Sequence, residues 1–322
     1  MATVYKTFLD SDITSTRTLL HESIPVTGTL VSGAYGGSTV ALGSEPHIKT
    51  HSHGMFQEVH DYPYLSSSAN HIFDIAVGYS AASALSSSAN EQNSKKINMY
   101  NQMAQVLMGY DITGSIQRFD QDGNLSGDGG ASGAKIDEAI FLNLSRLLVK
   151  DEIKKGSFSL NLGSNTGSTQ TDPFNVRVNI ADTGADSKYF VNSPAGEYGI
   201  LYASDSVSTP LASGKSSYPA GLLFYQAGVA VISGSAFSVS SSNASTHPRA
   251  FPATGLLKAN VNLTKSNGHF ETLQSLMTGS SVNEIANGVR NRIHSLSFNN
   301  TTELNSTVYF CRAPANKFNY SS

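Results

Sequence analysis

Apolar residues in this chain come in short runs, most of them alternating with polar ones, and Ser, Gly, Asn and Thr fill the intervals. In His71-Ile72-Phe73-Asp74-Ile75-Ala76-Val77-Gly78-Tyr79, Phe73, Ile75 and Val77 share one face and Ile72 lies on the other, the two-residue period of a strand. The same alternation marks Ser157–Leu162 and Phe174–Ile180 as half-buried strands, and Phe141–Leu144 and Gly199–Ala203 add two more. The run Gly221–Ile232 carries Gly228 inside it, which fits a hairpin or a bulged strand. Residues 1–30 read as extended around a polar Asp10-Ser11-Asp12 turn, and short strands are expected at Leu296–Phe298 and Val308–Cys311.

Helical spacing is confined to two places. Ile97, Tyr100, Ala104, Leu107 and Met108 recur three and four residues apart, which predicts a helix over 91–109 with Gly109 as its stop. Further helix is predicted within 270–294: a first segment at Phe270–Met277, then one opened by Ser281 and Glu284 as a capping box. The fold class that follows is α+β, dominated by antiparallel, sandwich-like sheet. A soft boundary divides a β-rich segment 1–112, ending in a helix, from a larger β-rich domain 113–322, although a single domain fits equally well.

Composition sharpens this picture. Only 14% of the 322 residues are charged, Trp is absent and there is one Cys. Hydroxyls, amides and backbone must therefore meet most of the polar demand, as in static shell and tube proteins. Net charge is −3 with a pI near 6.3 and no basic stripe, so nucleic acid is not the expected partner. No apolar window is long enough to span a membrane, and the N-terminal residues do not read as a signal peptide. Cys311, flanked by Val308, Tyr309 and Phe310, is expected in a buried strand.

Candidate chemistry is thin. His47, His51, His53 and His60 crowd one loop-like stretch, and His51 and His53 would face the same way on a strand; no carboxylate or thiol in sequence completes a metal set, and solvent-facing histidines are expected. Asp120, Asp122 and Asn124 begin like a calcium loop, but Leu125 and Ala131 stand where Gly and Glu are required, so a Gly-rich hairpin is expected instead. Gly214-Lys215-Ser216 lacks the rest of a phosphate loop. Adjacent acids Asp137-Glu138 and Asp151-Glu152 would point apart. No catalytic, cofactor or metal residue is assigned, and no enzymatic activity is expected.

Several phrases are similar to virion structural proteins of large contractile-tailed bacteriophages, especially marine cyanophages. They are Phe8-Leu9-Asp10-Ser11-Asp12-Ile13-Thr14, Ser52-His53-Gly54-Met55-Phe56-Gln57, Asn98-Met99-Tyr100-Asn101-Gln102-Met103-Ala104, Ser193-Pro194-Ala195-Gly196-Glu197-Tyr198-Gly199 and Phe318-Asn319-Tyr320-Ser321. The resemblance implies a non-enzymatic tail or baseplate component, assembled in the host bacterial cytoplasm into the virion, whose partners are copies of itself and other virion proteins. A tail-fibre adaptor or tip that binds a host-surface receptor is the alternative. Expected contact regions are the loops 32–54, 204–218 and 233–247 and the tail, where Arg312, Lys317, Phe318 and Tyr320 combine the residue types of interface anchors.

Overall fold

The computed structural model describes residues 8–25, 47–87, 91–125, 135–163, 177–205, 218–234, 281–290 and 293–311. Twelve strands form one sheet, antiparallel throughout its named pairings. They are β1 Ile13–Pro25, β2 Ile48–Thr50, β3 Phe56–His60, β4 His71–Tyr79, β5 Glu138–Leu144, β6 Glu152–Ile153, β7 Ser159–Gly163, β8 Arg177–Ala181, β9 Tyr198–Asp205, β10 Tyr218–Phe224, β11 Val229–Ser233 and β12 Ile293–Tyr309. Among the described residues three α-helices accompany them: α1 Glu91–Leu107, α2 Arg146–Val149 and α3 Val282–Arg290. The strand-dominated α+β class read from the alternation is the observed one. The sheet order is β1-β12-β7-β8-β9-β10-β11-β5-β4-β3-β2, with β6 on β12. Across residue 112 the sheet is continuous, since β4 pairs with β5.

Alternation gives the sheet two apolar faces. Phe73, Ile75 and Val77 of β4, Ile140 and Leu142 of β5 and Ala230 and Ile232 of β11 join a large core that also holds Leu160, Leu162, Val178 and Ile180. Their neighbours Ala76, Phe141, Val229 and Val231, with Leu222 and Phe224 of β10, form a second core beneath α1, which contributes Met99, Tyr100, Ala104 and Leu107. Helix α1 ends as its sequence predicts: Gly109 adopts φ +78° and its N–H reaches the Ala104 carbonyl at 3.1 Å.

The position of α3 shows that the sheet curls. This helix packs against β3 and β4, where its Asn283 carbonyl accepts a hydrogen bond from Gln57 at 3.3 Å. Two residues after it the chain enters β12, which lies seven inter-strand steps from β4 in the sheet order. Laid flat, seven steps would span about 34 Å. A nine-residue helix (about 13 Å) and its short link (about 10 Å) cannot cover that distance. The two ends of the sheet therefore approach one another, and Val282, Ile285, Ala286 and Val289 fill the space in a core shared with Phe73, Leu296 and Phe298.

Two expectations are corrected. The final pair of short strands is one 17-residue strand, β12. Its Asn- and Thr-rich middle shows no apolar alternation, yet it pairs continuously with β1. Cys311 is exposed because it follows the end of that strand, outside the body, and not in the core. Gly221–Ile232 resolves into the β10–β11 hairpin, with Gly228 at φ +70° in its turn. The segments Phe270–Met277 and Gly214–Ser216 lie outside the described residues, as do most of the loops 32–54, 204–218 and 233–247.

Candidate assembly interface

β1 and β12 pair over thirteen positions, from Ile13 opposite Tyr309 to Pro25 opposite Ser297. At the base of this ribbon β12 is held by the body. β7 pairs with it as far as Ser297 and β6 pairs with Asn300 and Thr301. Asn300 donates to the Leu148 carbonyl at 2.8 Å, and the Asp151 carboxylate accepts the Glu303 N–H at 2.8 Å. Beyond Glu303, among the described residues, β12 pairs only with β1. The outer ribbon is thus a two-stranded arm standing off the body. Residues Phe8–Leu9 and Phe310 extend it; Phe310 donates its N–H to the Asp12 carbonyl at 2.8 Å, and the Phe8 and Tyr309 rings lie 5.6 Å apart.

Directly opposed residues of an antiparallel pair share a face. Odd-numbered residues make one face of the arm: Ile13, Leu19 and Tyr309, with Arg17 and Glu303. Even-numbered residues make the other: Leu20, Leu304 and Val308 among Thr14, Thr16, Thr18, Thr302 and Ser306. Leu20, Leu304 and Val308 are each about half exposed (51%, 50% and 48%), as are Leu19 and Tyr309 on the opposite face (46% and 57%). Along the paired strands of the arm charges are few and matched. Arg17 pairs with Glu303, and Glu22 with Lys150 at the base. Hydrogen bonds from Asn305 and Arg17 hold the Glu303 carboxyl below its ordinary range, and Lys150 does the same for Glu22. Hydroxyls are paired across strands, Thr16 to Ser306 at 2.6 Å and Ser15 to Thr307 at 3.3 Å.

The histidine-rich stretch is ordered as the β2–β3 hairpin. A carboxylate does sit there, contrary to expectation: Glu58 accepts from His51 at 2.7 Å and from Lys49 at 3.0 Å, with His60 at 3.8 Å. Sequence spacing hid this pairing because it forms across the hairpin. His51 is half-buried, so it does not face solvent freely, and its ring stacks on His53 at 4.9 Å. Burial pushes the Glu58 carboxyl up, but the hydrogen bonds from Lys49 and His51 outweigh it and hold it below its usual range. His71 is raised by its hydrogen bond to Asp74 at 2.6 Å, whereas burial and the neighbouring His71 lower His60. Among the described residues no three His, Cys, Asp or Glu side chains are placed to hold a metal ion.

The remaining candidates close on themselves. Asp120 pairs with Lys135, and an antiparallel bridge joins these two residues; the expected Gly-rich hairpin between them lies mostly outside the described residues. Asp122 caps Asn124 at 3.1 Å. Asp137 takes Arg118 at 2.8 Å while Glu138 takes the Ser83 hydroxyl at 2.5 Å, so the adjacent acids do point apart. Asp182, buried, accepts from the N–H groups of Gly156 and Phe158 and from the Tyr225 hydroxyl at 2.7, 3.0 and 3.2 Å. The tail residues Arg312, Lys317, Phe318 and Tyr320 lie outside the described residues, as do most of the loops named with them. Among the described residues the arm exposes apolar side chains on both faces, and its signal in sequence is adjacent Leu19-Leu20 within a Ser/Thr-rich run, apolar side chains destined for opposite faces. No family model, curated protein or solved structure matches the chain.

Proposed function

We propose that this chain is a non-enzymatic structural component of a bacteriophage virion, of tail or baseplate type, that works by packing against other subunits. The observation that carries the reading is the β1–β12 arm. A two-stranded ribbon is marginally stable by itself in water, and this one exposes Leu, Val, Ile and Tyr side chains on both faces. Such a feature gains stability when another surface covers it. The dispersed phrases shared with contractile-tail virion proteins, which include the arm's own Phe8–Thr14, supply the virion context. The low charge fits as well, because hydroxyls and amides enter an interface without the desolvation cost of ions.

Purified protein tests the reading in three ways. Sedimentation is expected to reveal multimers, binding to host cells to be absent, and peptidoglycan or polysaccharide to remain intact on incubation. Specific adsorption to cells would replace this reading with a receptor-binding adaptor. Turnover of either polymer would overturn it.

A further inference from the structure

We propose that the β1–β12 arm joins copies of this chain head to tail, the even-numbered face of one arm lying on the odd-numbered face of the next. This rests on the assembly reading above and specifies the contact. Its occupant is a second copy of the chain, and three observations select that occupant.

The first is that both faces are apolar. A twofold dimer is isologous and would pack like on like. It would cover Leu20, Leu304 and Val308, or Ile13, Leu19 and Tyr309, and leave the other set in water. A head-to-tail contact covers both sets on every interior copy.

The second is size. The outer arm, eight residue pairs from Ile13–Tyr309 to Leu20–Thr302, is about 27 Å long and about 10 Å wide, so each face offers roughly 270 Å². One face is less than half of the roughly 800 Å² per partner in a stable complex. Two faces per chain together reach about two thirds of it, so the contact becomes strong when it repeats and closes into a ring.

The third is continuity and charge. The even-numbered face is the outward continuation of the main core: Phe298 is buried in that core, Ile24 packs on it, and Thr302, Leu304 and Val308 follow in register. Laid over it, a neighbour extends an existing core across the boundary. Arg17 and Glu303 neutralise each other within the odd-numbered face, and Thr14, Thr16, Thr18 and Ser306 oppose them with neutral hydroxyls. Glu22, on the even-numbered face, is held by Lys150 at the base.

The test uses the full chain and two exposed substitutions, Leu19→Lys on the odd face and Leu304→Lys on the even face. Wild type is expected to sediment at three or more multiples of 34.1 kDa. Each variant is expected to run as a monomer with an unchanged circular dichroism spectrum. An equimolar mixture restores one good contact, the even face of Leu19→Lys on the odd face of Leu304→Lys, and is expected to give a weak, concentration-dependent dimer. A monomeric wild type overturns the proposal. Multimers that survive both substitutions overturn it too, while leaving the assembly reading intact. Dimers formed by either variant alone would reveal like-on-like packing and overturn the head-to-tail geometry. Adsorption to cells or polymer turnover would fell the assembly reading itself and with it this contact.

Discussion

Gly78 offers a sharp test of how the second core is built. It lies in β4 opposite Ala139, directly under α1. A Cβ placed on it would lie 2.7 Å from the Lys96 carbonyl oxygen and 2.8 Å from the Tyr100 backbone nitrogen, where 3.4 Å is an ordinary contact. Both atoms belong to the helix backbone, so no side chain can swing aside; α1 must retreat by roughly 0.7 Å along its length. That movement loosens Tyr100, Ala104 and Leu107 against Ala76 and Phe141, and it strains the Tyr100 hydroxyl's 2.6 Å hydrogen bond to the Ile136 carbonyl. Overpacking of this kind costs about 1–3 kcal/mol. With an unfolding entropy of about 2.1 cal/mol/K per residue, about 0.7 kcal/mol/K for this chain, the melting temperature of Gly78→Ala should fall by about 1.5–4 °C. Thermal melts and urea titrations followed by circular dichroism read this directly. The sign is decisive. Where space is open and the conformation compatible, Gly→Ala stabilises by about 0.4–1 kcal/mol through the unfolded chain. A variant that melts at or above wild type would refute the close seating of α1 on β4.

Three further outcomes are expected. Asp182→Ala leaves the buried Phe158 N–H and Tyr225 hydroxyl unpaired, at about 1–3 kcal/mol for each group, and frees the less buried Gly156 N–H, whereas Asp182→Asn keeps one acceptor oxygen and should lose less; equal losses in urea titrations would contradict the role given to that carboxylate. Lys135→Met strips the buried Asp120 carboxylate of its counter-charge and should cost about 3–5 kcal/mol at neutral pH, so a loss below about 1 kcal/mol would mean that the pair is solvated. The pH dependence around His71 has a definite sign. Its pKa is raised by Asp74, so its stabilising contribution is fully present below about pH 6.5 and disappears as pH climbs through the raised folded-state value. Wild type should therefore exceed His71→Gln in urea midpoint at pH 5–6, with the gap closing in mildly alkaline buffer. His60, lowered by burial and by His71, opposes this below pH 6.5, and Lys49 and Glu58 complete the set of charges facing the ring. A gap that widens with rising pH would reverse the assignment.

What could be read from the sequence follows from which elements bury a face against a nearby partner. β4, β7 and β8 alternate because one side meets the main core, and α1 carries a stripe because one side meets Ala76 and Phe141; both periods survive in the residue order. The outer halves of β1 and β12 meet no such core. Their Thr, Ser and Asn residues are fixed by pairing with a strand some 290 positions away in the chain, and pairing over that separation leaves no local period. Cys311 was misplaced for the same reason: Val308, Tyr309 and Phe310 look like a buried run but sit on an arm with solvent on both sides. The Glu58 partnership with His51 was hidden by a turn that folds a seven-residue separation into direct contact. The candidate tail from Arg312 to Tyr320 follows on in sequence from the arm's last described residue, Cys311, so the stretch read as a candidate interface from residue type adjoins the candidate that exposure points to.

The composition acquires a physical reason at the arm. Free sheet edges and exposed ribbons normally carry charges, above all Lys, that prevent pairing with other chains. Over Ile13–Glu22 and Thr301–Tyr309 there is no Lys; the charges are Arg17, Glu22 and Glu303, two of which neutralise each other while the third is held by Lys150 from the body. A monomeric protein with this ribbon would gain solubility from a few more charges at no cost to its core. Their absence leaves hydroxyl-bearing and aliphatic side chains, groups that lose little when water is removed and that satisfy one another when brought face to face. Under the proposed head-to-tail contact, the low charge of the whole chain and the bare faces of the arm have one cause: both are what a surface requires when it lies against another subunit.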